Sequence, residues 1–240
     1  MGSSETTPHS RDRVLVIMAK APRSGTVKTR LAESLPVKAV TELYRCLLDD
    51  TVALAHSLRS VKVAIMCPAS DVKELARLAG GATVVVAQQG DGLAAALTSV
   101  FAQFAADGRQ HVIAFNSDSP HLPLPVLTGA FEMLDAHDVV VGPTDDGGYY
   151  LVGAKAAHGA LFHGAGMGTT NALDGLLARA RNLQLSVSFT APFYDIDTVG
   201  DLTRLAAELR LAPERAPRTA AWLKQWQQAV PQLRTAAGDL

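Results

Sequence analysis

The chain has 240 residues, 48% of them apolar and 19% charged, with a net charge of -1. That length supports one sizeable core without a split into domains. The balanced charge excludes a broad cationic face for nucleic acid or an anionic membrane, and no run approaches the roughly 18 apolar residues of a membrane span. An acidic ligand must therefore be held by a few placed cations.

Residues 1–13 are polar and lack the apolar stretch of a secretory signal. They are expected to form a disordered lead-in, with residues 14–240 as the single folded domain. Short apolar runs then alternate with longer helical patterns. The runs are residues 14–18 (VLVIM), 61–67 (VKVAIMC), 83–87 (TVVVA), 111–115 (HVIAF) and 139–141 (VVV). Runs of this kind suit strands buried on both faces of a parallel sheet. The clearest helix lies between the first two runs. Val40, Leu43, Tyr44, Leu47, Leu48, Thr51, Leu54, Ala55 and Leu58 repeat at a helical period, with Pro36 placed for its first turn. Alternation of strand and helix predicts an α/β, doubly wound, mostly parallel sheet with helices on both faces. From Thr198 the tail reads as two helices separated by Pro213 and Pro217, and Trp222 and Trp226 share a face that packs on the body. Cys46 and Cys67 show no disulfide or zinc spacing, which fits a reducing cytoplasm.

In open α/β sheets the ligand lies beyond the carboxyl ends of the strands. The loop after the first run, AKAPRSGTVKTRL, sets Lys20, Arg23, Lys28 and Arg30 close together with Gly25 for a tight turn. Small residues such as Ala19 let backbone N–H groups approach a ligand while the cations neutralise phosphate charge. Gly25, Lys28 and Thr29 imitate the end of a Walker A loop. However, Val27 stands where that motif needs glycine, and Pro22 replaces the earlier glycine, so a P-loop NTPase is rejected. A solvated basic loop is the simpler alternative to phosphate binding.

The fourth run leads into Asn116-Ser117-Asp118-Ser119-Pro120, and Asp195-Ile196-Asp197-Thr198 stands near the tail. A carboxylate at a strand end can hold Mg²⁺ through one oxygen while water and phosphate complete the shell. Asp118 can equally well be a turn residue, and Asp197 or Thr198 can cap the helix of residues 199–209 with Asp201 in its first turn. The fifth run leads into Thr144-Asp145-Asp146-Gly147-Gly148-Tyr149-Tyr150. Asp-Gly is a hairpin signal, but the doubled aspartate, the doubled glycine and the tyrosines exceed what a turn needs. Asp145, Asp146, Gly147 and Gly148 are candidates for acceptor binding.

Taken together, Lys28-Thr29-Arg30-Leu31, Asp118-Ser119-Pro120, the run of residues 142–153 (GPTDDGGYYLVG) and Asp195-Ile196-Asp197-Thr198 resemble the GT-A-like nucleotide-diphospho-sugar transferase superfamily. Within it they look like the glycosyltransferases associated with radical-SAM/selenodomain proteins, of arsenosugar-biosynthesis type. Small nucleotidyltransferases are similar in Asp-x-Pro and Asp-x-Asp-Thr. The resemblance implies a GT-A-like fold, Mg²⁺ (or Mn²⁺) held by Asp118 and Asp197, and phosphate binding by Lys28 and Arg30, which would act catalytically. It adds Gln88 and Gly90, from the segment after the third run, to the nucleotide site. Two departures stand out. Ala94, Ala95 and Ala96 replace the expected Gly-x-Arg, and Met167-Gly168-Thr169 stands where relatives carry Trp-Ser-Thr. Residues 164–168 (GAGMG) are not a dinucleotide fingerprint.

Three functions are therefore carried forward, each with a nucleotide (NTP or NDP-sugar) and a small-molecule acceptor as partners. The preferred one is nucleotidyl transfer from an NTP with release of pyrophosphate, because the loop is strongly basic and Asp118 lacks a paired Asp-x-Asp. The alternatives are glycosyl transfer from an NDP-sugar and a non-catalytic nucleotide-binding module.

Overall fold

The computed structural model describes residues 12–163 and 171–229. Residues 164–170, including Met167-Gly168-Thr169, and most of the lead-in lie outside the described residues. Seven strands form one sheet: β1 (Arg13–Met18), β2 (Lys62–Cys67), β3 (Val84–Ala87), β4 (His111–Asn116), β5 (Val139–Pro143), β6 (Tyr149–Ala154) and β7 (Val187–Phe189). Their order is β3-β2-β1-β4-β6-β5-β7. All neighbours are parallel except β6, which runs antiparallel to both β4 and β5. The mostly parallel α/β sheet expected from the alternating runs is therefore present. Two strands were not among those runs. β6 is the second arm of the Asp-Gly hairpin, and β7 is three half-exposed or exposed residues at the sheet edge with too little apolar sequence to stand out. The first strand also begins one residue early, at Arg13, which ion-pairs with Asp135 at 2.9 Å.

Side chains alternate across the central strands. Leu15, Ile17, Ile65, Ile113 and Phe115 face one layer, and Val14, Val16, Ala64, Val112 and Ala114 face the other. The first layer is covered by α2 (Val37–His56), α3 (Val72–Ala79) and α5 (Leu124–Ala136), and the second by α4 (Gly92–Ala106) and α6 (Ala172–Asn182). A third cluster lies behind α2. There Val40, Leu43 and Leu47 meet Leu202, Leu205 and Leu209 of α7 (Val199–Leu211) and Leu223 of α8 (Pro217–Ala229). So α2 is buried on two sides, by the sheet and by the tail. Buried Asp50 of α2 accepts from the backbone N–H groups of Arg218 and Thr219, at 3.2 and 2.8 Å, capping the first turn of α8. Trp222 and Trp226 stack with ring centroids 5.1 Å apart, and Trp222 packs against this cluster.

Both cysteines are free. Among the described residues no helix is long and apolar enough to cross a membrane.

Candidate active site

The loop after β1 is tied down by side chains from two helices. Ala21 N–H donates to Asp71 Oδ2 at 2.9 Å, beside α3, and Lys20 N–H donates to the Tyr44 hydroxyl of α2 at 3.1 Å. Burial works against the charge on Asp71. The Ala21 N–H, Ser70 and Arg23 nevertheless hold it below the usual aspartate value. Arg23 is drawn outward in the same network. Its guanidinium reaches Asp71 at 2.6 Å, Glu74 at 3.0 Å and the Ser70 carbonyl at 3.0 Å. Its donors are satisfied by the α3 end, and neither Arg23 nor Gly25 lines a cavity at the strand ends. Both were expected to bind phosphate. The structure instead gives Arg23 a tethering position and Gly25 a turn at φ +76°.

Past that turn the chain reverses inward. Lys28 adopts a left-handed backbone (φ 50°, ψ 47°) immediately before the short α1 (Thr29–Ala32). A non-glycine residue in this region is uncommon and strained. The geometry buries the Lys28 side chain to 3% exposure, with Nζ 2.9 Å from Asp118 Oδ2 and 2.9 Å from Asp197 Oδ1. Burial alone would favour loss of the proton, but Asp118 and then Asp197 keep the ammonium charged, well above the ordinary lysine value. The exposed Arg30, at 69%, stands 3.6 Å from the other oxygen of Asp197.

Asp118 and Asp197 meet because their loops are stitched together. Ser119 Oγ donates to the Tyr194 carbonyl at 3.0 Å, and Asn116 Nδ2 donates to Asp195 Oδ1 at 2.9 Å. The helix cap before α7 is made by Thr198 and Asp201 in a reciprocal capping box, which leaves the Asp197 carboxylate free for the site. Asp195 is the crowded member. Burial, then the Asp118 charge, pushes its carboxyl up to about 7, with Lys28 partly offsetting the rise.

Two cavities meet at this wall. The larger, about 800 Å³, lies over the loop after β1 and is lined by Ala19, Lys20, Lys28, Arg30 and, from the third-strand side, Gln88 and Asp91. Gly90 does not reach it: its carbonyl accepts from Gln88 Nε2 at 2.9 Å, and Gly92 and Leu93 take the place expected for it. The smaller cavity, about 560 Å³, lies toward the β5–β6 hairpin and is lined there by Thr144, Asp146 and Gly148. Asp146 Oδ1 accepts from Thr144 Oγ1 at 2.6 Å and from Gly148 N–H at 3.2 Å. Asp145 and Gly147 were grouped with these two, but they form the turn itself, with Asp145 exposed and Gly147 at φ +84°, and neither lines the cavity. Met18, Leu93, Arg30, Asp118 and Asp197 line both cavities.

The donor set suits a hard divalent cation. Among the described residues no three His, Cys, Asp or Glu side chains are placed to ligate one ion. Mg²⁺ commonly takes only one or two carboxylates and completes its shell with water and phosphate oxygens. Asp118 and Asp197 converge on the Lys28 ammonium, each 2.9 Å from it, and the carboxyl of Asp195 beside them is raised first by burial and then by the Asp118 charge. Tyr44, Asn116 and Asp195 were not among the expected site residues. Asn116 and Asp195 stand inside the two aspartate motifs, but Tyr44 was legible only as part of a helix face.

A family model described as an uncharacterized protein conserved in bacteria (DUF2064) matches residues 51–169. Among solved structures, a candidate nucleotide-diphospho-sugar transferase from Desulfovibrio desulfuricans G20 is 26% identical, with a TM-score of 0.86 over 94% of this chain and 98% of that one. A nucleotidyl transferase from Methanothermobacter thermautotrophicus has a TM-score of 0.58 and 18% identity over 84% of this chain and 99% of that one. The 4-diphosphocytidyl-2C-methyl-D-erythritol synthase from Anaerococcus prevotii has a TM-score of 0.55 and 12% identity over 84% and 98%. The last two likenesses are of fold alone. A search of curated protein sequences finds no match.

Proposed function

We propose that this chain, which belongs to the GT-A-like nucleotide-diphospho-sugar transferase superfamily, is a metal-dependent transferase that moves a nucleotidyl group from an NTP to a small acceptor and releases pyrophosphate. One observation carries the reading. A cavity of about 800 Å³ that carries Lys20, Lys28 and Arg30 and a second cavity of about 560 Å³ share a wall made of Asp118, Asp197 and Arg30, which suits a nucleotide on one side and an acceptor on the other. In this reading the α-phosphate lies at that wall, and the acceptor oxygen attacks phosphorus as the bond to pyrophosphate breaks, its electrons leaving on pyrophosphate. Lys20, Lys28 and Arg30 hold the phosphates and stabilise the charge that develops, so catalysis is mostly positioning and electrostatics. Asp118 and Asp197 would hold Mg²⁺ or Mn²⁺, which supplies further charge neutralisation when bound. Lys28 keeps the two carboxylates at a fixed separation.

Glycosyl transfer from an NDP-sugar is the second reading. It is favoured by Arg23, which faces away and leaves Lys20, Lys28 and Arg30 as the cations of the loop that line the larger cavity. With a metal present, that charge also suits a diphosphate. Product analysis with pooled NTPs, pooled NDP-sugars, Mg²⁺ and a cell extract as acceptor source separates the two. Pyrophosphate with a nucleotidylated product is expected. Free NDP with a glycosylated product overturns the nucleotidyl reading, and nucleotide binding with neither product leaves a binding module.

A further inference from the structure

The wall between the two cavities already holds a cation. Lys28 Nζ lies 2.9 Å from Asp118 Oδ2 and 2.9 Å from Asp197 Oδ1, on a side chain only 3% exposed. These are the two carboxylates that the metal-dependent reading gives to a divalent ion. The ammonium engages one oxygen of each. The other two oxygens are also attended: Ser117 Oγ donates to Asp118 Oδ1 at 3.4 Å, and Arg30 stands 3.6 Å from Asp197 Oδ2. A dication arriving alone therefore meets carboxylates whose charge is already neutralised, with a like charge bridging them.

The backbone of Lys28 is held in place. Its carbonyl accepts from the Ala32 N–H at 3.1 Å, in the first turn of α1, and the preceding Val27 is buried. The side chain has more freedom, because it is a flexible four-carbon stem that ends in a point charge. It also lines the larger cavity with Lys20 and Arg30, where the reading above places the phosphates. Nζ thus stands between two sets of anionic partners, the carboxylates of the wall and the phosphate oxygens of a bound donor. Rotation about the bonds of the stem carries it from one set to the other.

We propose that Lys28 is a placeholder for the divalent ion: its ammonium holds Asp118 and Asp197 until donor phosphates draw it away, so the metal enters the wall with the nucleotide and not ahead of it. This rests on the metal-dependent reading of the wall and adds an order of binding to it. A ligand shifts a protein toward the state it binds better, and the coupling is reciprocal. Phosphate that takes Nζ raises the affinity of the two carboxylates for the ion, and the bound ion raises the affinity for phosphate by the same factor. The arrangement also spares the nucleotide-free protein a pair of facing carboxylates with no counter-charge between them.

The test uses the full chain with Mn²⁺ as the probe, and free Mn²⁺ is measured by electron paramagnetic resonance. Without nucleotide, Lys28→Met is expected to bind Mn²⁺ at least about tenfold more tightly than wild type, a typical size for coupling between sites. Arg30→Gln removes the same charge from the same wall without vacating the point between the carboxylates. Its gain should stay below about threefold, as for a solvent-exposed pair. Circular dichroism checks that both variants fold. Equal Mn²⁺ affinity in wild type and Lys28→Met overturns the proposal. An equal gain in the two variants also overturns it, because Lys28 would then act only as one more nearby charge. A second measurement needs no variant. Wild-type crystals are soaked with Mn²⁺ alone and with Mn²⁺ plus inorganic tripolyphosphate, and the ion is located by anomalous scattering. Mn²⁺ at Asp118 and Asp197 is expected only in the second soak, with Nζ on a phosphate oxygen. Mn²⁺ at the wall in the first soak, or Mn²⁺ on both carboxylates while Nζ keeps both contacts, overturns the proposal. The proposal and the transfer reading fail separately. Metal-dependent transfer with unchanged Mn²⁺ affinity in Lys28→Met would sink the proposal alone. Tighter Mn²⁺ binding by Lys28→Met, without pyrophosphate release by wild type, would sink the reading alone.

Discussion

The loop after β1 divides at Gly25 into two halves that use the same residue types for opposite ends. In the outer half Arg23 turns toward α3 and is held by Asp71 and Glu74. In the inner half Lys28 turns into the molecule and bridges Asp118 and Asp197, which come from segments far apart in sequence. Both cations are paired with two carboxylates, yet one pair of contacts fastens a loop and the other assembles a reaction wall. A count of basic residues in a loop therefore does not count the charges a ligand meets, because a neighbouring helix end with its own carboxylates can claim some of them first.

That contrast can be broken most sharply at the wall. Asp118→Ala and Asp197→Ala are each expected to abolish Mg²⁺-dependent transfer while the far-ultraviolet circular dichroism stays native. Residual Mg²⁺-stimulated turnover in either variant would show that the wall is not where the ion acts. Lys28→Ala should come next. Nucleotide affinity by calorimetry should fall by on the order of 1.5–3 kcal/mol, the usual scale for losing a hydrogen bond to a charged group. Arg30→Ala should fall in the same range or below it, because its side chain is largely in water. Unchanged affinity in both variants would make the inner half no more than surface.

The outer half should answer in stability instead. Asp71→Asn weakens the tie to the Ala21 N–H and the Arg23 pair, a loss of about 1–3 kcal/mol in urea unfolding at pH 7. The sign of its pH dependence follows from the lowered value of Asp71. A carboxylate held below its unfolded value stabilises the fold above the unfolded value near 3.9, and that contribution disappears as pH falls through the folded value. The gap between wild type and Asp71→Asn should therefore be constant from pH 7 to about pH 5 and close on further acidification. A gap that widens in acid would contradict the tether. The smallest effect belongs to Arg23→Ala, with nucleotide affinity changed by less than about threefold. A loss as large as that of Lys28→Ala would erase the distinction between the halves.

Much of this was legible in the sequence because it rests on local patterning. Fully buried parallel strands need unbroken apolar runs, and β1, β2 and β4 supply them. The double burial of α2 is partly written in the breadth of its apolar face. The approach of Asp118 and Asp197 was expected from two short motifs at presumed strand ends. What remained hidden depends on partners distant in sequence. Nothing near Arg23 announces that Asp71 and Glu74 will claim it. Asp145 and Asp146 are indistinguishable by neighbourhood; both are exposed turn residues, and only Asp146, through its bonds to Thr144 and Gly148, lines the cavity. Gly142 reads as an ordinary strand residue. A Cβ there would stand 2.5 Å from the Tyr150 ring, so its absence is what lets the hairpin close beside the site.

The delivery of the last carboxylates has a consequence for how the protein comes into being. Asp195 and Asp197 immediately precede α7, and α7 and α8 cover the outer side of α2. A chain leaving the ribosome can pair β1, β2, β3 and β4 while Lys28 and Asp118 still lack their late partners. Until residues 195–197 emerge and the tail helices dock, α2 keeps an uncovered apolar side and the ammonium of Lys28 has one counter-charge instead of two. The wall at which the two cavities meet is thus completed only after residues 195–197 and the helices that follow them have emerged, as the same docking event seals the core behind it.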